Sequence, residues 1–165
     1  MADSGYESFN TFAHLIWKGM YFVIRMKDIN SHGILSSYDL PDSEFDTHIR
    51  TTLTRRHTKE TLGNPNTYTI LQPSTDFDSL DENCMYYDIE FRIVRVRLDN
   101  GTYICIANNL SEEEFPLEEI NKLYRMRWSE ETSFRELKYT ISLINWHSSK
   151  YDGILQEINA RMILY

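Results

Sequence analysis

Apolar residues recur at two different periods along this chain, and the two periods divide it. Phe9, Phe12, Ala13 and Ile16 stand at i, i+3, i+4 and i+7, the spacing of one face of an amphipathic helix, which should end near Gly19. Tyr21 to Met26 is a nearly continuous apolar strand, broken only by Arg25. Ahead of the helix, Met1-Ala2-Asp3 reads as the end of a strand and Asp3-Ser4-Gly5-Tyr6 as a turn. Strand, helix, strand in that order predicts a βαβ unit with parallel strands, and places Asp3 at the carboxyl end of its strand, where open α/β sheets put their sites.

From Asn30 to Asn109 the helical period fades. Short β-rich runs replace it at Arg50 to Arg56, Tyr68 to Leu71, Tyr86 to Leu98 and Thr102 to Ala107. Asp99-Asn100-Gly101 carries the Asn-Gly hairpin signal between the last two. Ile93 to Leu98 alternates, which predicts one buried face and one face carrying arginine. Pro65, Pro73 and the stretch from Ser74 to Asn83 read as loops. Helical spacing returns after Asn109. Ser111 suits a cap, Glu112 to Glu114 suit the positive end of a helix, and Leu117 to about Leu143 reads as helix with a break near Trp128. Asn145 to Lys150 is a polar break, and Ile154, Leu155, Ile158, Met162 and Tyr165 make the apolar face of a last helix. The fold class is therefore α/β (α+β), with residues 30–109 as a β-rich insertion between 1–29 and 110–165.

The long helix has a second pattern. At about 100° per residue, with Tyr124 at zero, Arg127 falls near about −60°, Glu131 near about −20° and Lys138 near about −40°. These four form a polar stripe about 21 Å long at 1.5 Å rise per residue. Leu123, Met126, Phe134, Leu137 and Ile141 run beside it as an apolar stripe. Glu131 is the right kind of ligand for a hard cation, and Arg127 and Lys138 suit phosphate, one as a planar fork and one as a point charge. Spacing alone favours a solvated face on which Glu131 pairs with Arg127 at i, i+4. Asp3 likewise reads as a ligand or as an ordinary turn residue. Trp128 is most simply core, with base stacking as its second reading, and the lone His147 has no ligand-spaced companion.

Charge and cysteine content adjust this picture. The 165 residues carry a net charge of −8, a poor overall match to a nucleic-acid binder. The basic residues are clustered, however, at Arg50, Arg55, Arg56 and Lys59 and again at Lys122, Arg125, Arg127, Arg135 and Lys138, so a basic groove on an acidic protein is compatible with the total. For Arg50, Arg55 and Arg56 a solvated strand face competes with contact to DNA backbone. The two cysteines, Cys84 and Cys105, have no zinc spacing, and Cys105 sits in an apolar run where it should pack as a small hydrophobe. No signal peptide and no membrane-spanning run is evident, which makes a reduced, cytoplasmic setting the expectation.

The spacing Tyr124-x2-Arg127-x3-Glu131-x6-Lys138 resembles the C-terminal signature of a family of bacterial insertion-sequence transposases, DDE enzymes with a ribonuclease-H-like catalytic core. The words Leu-Tyr-x-x-Arg-Trp and Thr-Ser-Phe-Arg-Glu-Leu-Lys-Tyr around it are similar to that family too. Met1 to Lys27 resembles the region of the family's second catalytic aspartate: Asp3, Gly5, Tyr6, Arg25 and Lys27 match, and Ser4 departs from the arginine usual there. The resemblance implies a partial ribonuclease-H-like core at 1–29 and 110–165 interrupted by the insertion. It implies Asp3 and Glu131 as catalytic, metal-holding acids with Mg²⁺ as the ion. Tyr124, Arg127 and Lys138 become the DNA-binding residues that grip phosphate. Double-stranded DNA of the transposon ends is the implied partner, and a homodimer the implied state of the full-length enzyme. The family's first aspartate lies upstream of the second, so the chain is expected to be a C-terminal fragment, inactive alone. The competing expectation is a non-enzymatic remnant that binds DNA or full-length transposase.

Overall fold

The computed structural model describes residues 1–140 and 147–164, excepting the side chains of residues 128–131, 134, 136, 137, 140 and 164. Two compact units are present, Met1–Ile120 and Asn121–Tyr165. The first contains one mixed five-stranded sheet in the order β1-β5-β4-β2-β3. Its strands are β1 Val23–Met26, β2 Phe45–Thr54, β3 Tyr68–Ile70, β4 Tyr86–Arg97 and β5 Tyr103–Asn108. All neighbours are antiparallel except β2 and β3, which run parallel with the short helix α2, Lys59–Gly63, between them. The result is a mixed α+β architecture compatible with a ribonuclease-H-like fold.

The opening segment folds as its pattern predicts. Helix α1, Phe9–Trp17, starts at Ser8, whose hydroxyl accepts the Thr11 N–H at 3.0 Å. It ends at Gly19, whose φ of 63° needs a residue without a Cβ, with the Gly19 and Met20 amides donating back to Ile16 and Leu15 at 2.9 Å. Phe9, Phe12 and Ala13 face inward. Phe12 stacks on Phe22 with ring centroids 5.4 Å apart and leans on Phe91 of β4 at 5.1 Å, so one side chain joins the helix to the strands. Before the helix, Ala2 pairs with Ile24 in a parallel bridge: the Ala2 N–H donates to Val23 at 2.9 Å and the Arg25 N–H donates to Ala2 at 3.1 Å. Of the first strand of the expected βαβ unit, this one parallel bridge at Ala2 is present.

Most of the predicted β-rich runs are strands. The turn at Asp99-Asn100-Gly101 joins β4 to β5, with Gly101 at φ 81° and its N–H donating to Leu98 at 2.9 Å. Two predictions need correction. β2 begins at Phe45, five residues before Arg50, and the alternation of β4 does not divide buried from exposed. Phe91 through Val96 are all buried, with Arg92 1% and Arg95 3% exposed. β4 is the third of five strands, covered on both faces, so alternate positions are buried whatever their polarity.

Each buried arginine is neutralised. Arg95 Nε and Nη2 donate to Asp28 at 2.9 and 3.0 Å, Nη1 donates to the Asp42 and Ser43 carbonyls, and the guanidinium lies 4.1 Å from the centre of the Tyr103 ring. Arg92 makes a fork with Asp46, Nε to Oδ1 at 2.7 Å. Arg95 holds the Asp28 carboxyl below its usual range. The same carboxylate accepts the Cys105 thiol at 3.3 Å; burial, then that bond, push this thiol from 9.0 up to about 12. Cys105 is fully buried and belongs to the core, as its apolar context predicts.

A thiolate is the reactive form of cysteine. With its thiol pushed from 9.0 up to about 12, Cys105 forms far less of it at pH 8 than an exposed cysteine does. Exposed Cys84 should therefore be alkylated by iodoacetamide in native protein while Cys105 stays unmodified until denaturant is added, as peptide mass spectrometry would show. Equal labelling of the two would contradict this packing. Because the folded-state value is raised, the Cys105 contribution to stability is intact below pH 9 and is lost as pH climbs toward 12.

Candidate functional site

Asp3 ends the parallel bridge and caps a 3₁₀ turn, Ser4–Tyr6, with Oδ1 accepting the Ser4 N–H at 2.8 Å. Its carboxylate is about half exposed, and the Arg25 guanidinium stands 3.9 Å away. A cation therefore faces this acid although Ser4 holds the position where arginine was expected; Arg25 reaches it from β1. Arg25 also lines a cleft of about 310 Å³ with Ser4, Lys27, Asp28, Ser31 and Tyr103. Asp3 follows the isolated bridge at Ala2, Arg25 lies within β1, and Lys27 directly follows that strand.

Glu7 organises the rim of this cleft, and nothing in the sequence pattern marks it. Its Oε2 accepts the Lys27 N–H at 2.7 Å and its Oε1 accepts the Ile34 N–H at 2.8 Å. One carboxylate thus ties the end of β1 to the loop that follows. Gly33 is required by that closeness: a Cβ there would lie 2.6 Å from Glu7 Oε1 and 3.0 Å from the Lys27 Cβ. Lys27 is drawn back over the same loop, Nζ donating to the His32 carbonyl at 3.3 Å.

The polar stripe lies on helix α3, Leu117–Thr140, which is continuous through Trp128 where a break was expected. Tyr124 is buried, 4% exposed, Arg127 is half-buried and Lys138 is exposed, its Nζ 6.0 Å from the centre of the Tyr139 ring. The buried face near the start of the helix is that of Ile120 and Tyr124, one turn apart, whereas Met126 is 68% exposed. Met126 was placed in the apolar stripe; it lies about 200° around the helix from Tyr124, on the opposite side. The side chains of Trp128, Glu131, Phe134 and Leu137, and Ile141 altogether, lie outside the described residues, so the expected convergence of Asp3 with Glu131 falls outside them too. In α4, Tyr151–Leu164, Leu155 and Met162 are largely exposed, and the His147 ring stands 3.4 Å from Glu157. The first basic cluster is structural in part: Arg55 donates to the carbonyls of Gln72, Pro73 and Thr75, and Arg50 pairs with Glu90 at 3.0 Å.

Compared with known protein families, the chain matches the transposase DDE domain over residues 1–165. The chain belongs to that family. Comparison with curated proteins and with solved structures gave no match. Members of the family are transposases acting in DNA transposition and recombination, and they generally use divalent metal ions. Asp3 fits such an ion in kind, as a half-exposed hard oxygen donor whose nearest cation is 3.9 Å off. Among the described residues no three His, Cys, Asp or Glu side chains form a metal-holding group, and none of the described helices is long and apolar enough to cross a membrane.

Glu7→Gln would turn one of the two acceptors into a donor aimed at an N–H. It is expected to cost about 0.5–1.5 kcal/mol, the range for a typical intramolecular hydrogen bond. A urea midpoint unchanged from wild type would mean that these two bonds do not hold the rim.

Proposed function

We propose that this transposase DDE chain supplies part of a catalytic centre for metal-dependent phosphodiester cleavage and strand transfer at transposon ends. Asp3 and Glu131 are the acids that hold the divalent ions, Mg²⁺ by preference, and Tyr124, Arg127 and Lys138 grip DNA phosphate. The observation that carries this reading is the place of Asp3: an accessible carboxylate directly after the parallel bridge at Ala2, facing Arg25 and next to a cleft edged by Lys27. When bound, paired metal ions activate an attacking oxygen and neutralise charge on the leaving one. The chain's own part is to orient oxygen ligands and to offset phosphate charge with fixed cations. Residues 1–29 and 110–165 form the catalytic core in this proposal and 30–109 the insertion. The working enzyme is a cytoplasmic homodimer on double-stranded DNA.

The 165 residues contain two of the three acids that this chemistry uses, so the purified chain alone is expected not to nick transposon-end DNA in Mg²⁺. Nicking that is abolished by Glu131→Gln would overturn that expectation. For the phosphate grip, the test is a salt titration of transposon-end binding by the transposase containing this chain. Arg127→Ala and Lys138→Ala should each weaken binding and flatten the log–log salt dependence by about one unit per lost phosphate contact. If both variants bind like wild type at every salt concentration, the stripe is a solvated helix face and the proposed grip is wrong.

A further inference from the structure

Arg92 is the largest fully buried side chain of the molecule's described part, and the reading above gives it no task. It faces the side of β4 opposite Phe91 and Ile93, the core positions on either side of it in the strand. Two of its nitrogens form the fork with Asp46 of β2. The third, Nη1, leaves the sheet and donates to the carbonyl of Phe115 at 2.8 Å. Phe115 is followed by Pro116, and α3 begins at the next residue. The same turn is bound a second time at its exposed edge: Glu112 accepts from His48 Nε2 at 2.8 Å, while His48 Nδ1 stands 3.1 Å from Glu90 of β4. Within the turn the Phe115 N–H donates to Ser111 at 2.9 Å, and Glu119 and Ile120 donate to Pro116 at 2.9 and 3.2 Å.

We infer that Arg92 is a positioning residue, whose guanidinium fixes the root of α3 to the centre of the sheet through the Phe115 carbonyl. The case rests on geometry. The Glu119 N–H, four residues on and the ordinary helical donor to this carbonyl, donates to Pro116 instead. The arginine is already held rigid by Asp46, so its remaining donor points in one direction without further ordering. The ion pair neutralises the charge, and the surplus donor locates the helix start. The helix that leaves this root is the one bearing Tyr124, Arg127, Glu131 and Lys138, and in that sense the inference rests on the proposed function; its test does not.

The test is amide hydrogen exchange, followed by NMR on the 165-residue chain, at Phe115, Glu119 and Ile120 in the root and at Ile93, Ile104 and Ile106 in the sheet. Arg92→Lys keeps a charge but cannot reach both Asp46 oxygens and the carbonyl together. It should speed exchange at the root about tenfold or more, as loss of a charge-assisted hydrogen bond does, and leave the sheet amides within about twofold of wild type once global stability is matched with denaturant. The decisive variant is the double substitution Arg92→Met with Asp46→Val, which removes both charges and nearly keeps the volume, a replacement that buried ion pairs often tolerate. Sheet protection should return to that of wild type while the root stays fast, because the Phe115 carbonyl still has no donor. Root and sheet recovering together in the double variant, or moving in parallel in Arg92→Lys, would show that Arg92 only stabilises the fold and would overturn the assignment. Because no DNA or metal enters the measurement, a negative result here is separate from failure of the transposase chemistry proposed above.

Discussion

The burial of β4 on both faces governs much else in the first unit. Residues three apart on a strand point to opposite faces, so Arg92 and Arg95 enter different sides of the sheet. A guanidinium cannot lose its charge, and taking one out of water costs several kcal/mol unless a counter-charge and hydrogen bonds meet it. Each arginine therefore fixes the path of a distant segment. Asp28 is brought in from the end of β1 and carries with it the loop whose Asp42 and Ser43 carbonyls complete the shell. Asp46 is brought in at the start of β2. Two charges that hydrophobic patterning would have sent outward thus specify where two connections run.

That is also why the sequence was legible in some places and not in others. α1, the hairpin at Asn100-Gly101 and the parallel bridge at Ala2 rest on local spacing, caps and turn chemistry, and all three are present. The failures share a cause. Whether Ile93 to Leu98 has one wet face depends on how many strands lie beyond it. Whether Met126 is buried depends on which flank of α3 meets protein. Glu7 accepts from amides 20 and 27 residues away, and no short window contains that information. At the candidate site, local grammar located the turn that Asp3 caps; Arg25 facing it was visible only as an interruption of an apolar run.

The acidic total charge is not relieved by the arginines of the first cluster and of β4, most of which are engaged within the fold. Arg92 and Arg95 of β4 are internal struts held by aspartates, and Arg55 is held by three carbonyls, whereas Arg50 pairs with Glu90 while its side chain stays 75% exposed. Counting basic residues thus overstates what the first unit presents to a polyanion. Arg25 differs, since its acidic neighbour is half exposed and 3.9 Å distant, close enough to feel the charge and too far for a tight bond.

The sheet order carries a consequence for how the chain folds. β4 and β5 meet through a turn of a few residues and can zip within microseconds, the time scale of a hairpin. β1 has its antiparallel place only beside β5, where Val23 pairs with Asn108, so about 80 residues of loop must close before the first strand is seated. The segment leading into Asp3 rests on β1 in turn. During synthesis the amino-terminal helix and strand therefore leave the ribosome well before their partner exists, with Phe12 and Phe22 still wanting Phe91. The segment that bears the acid is made before its partner strand and is among the last to be set in place.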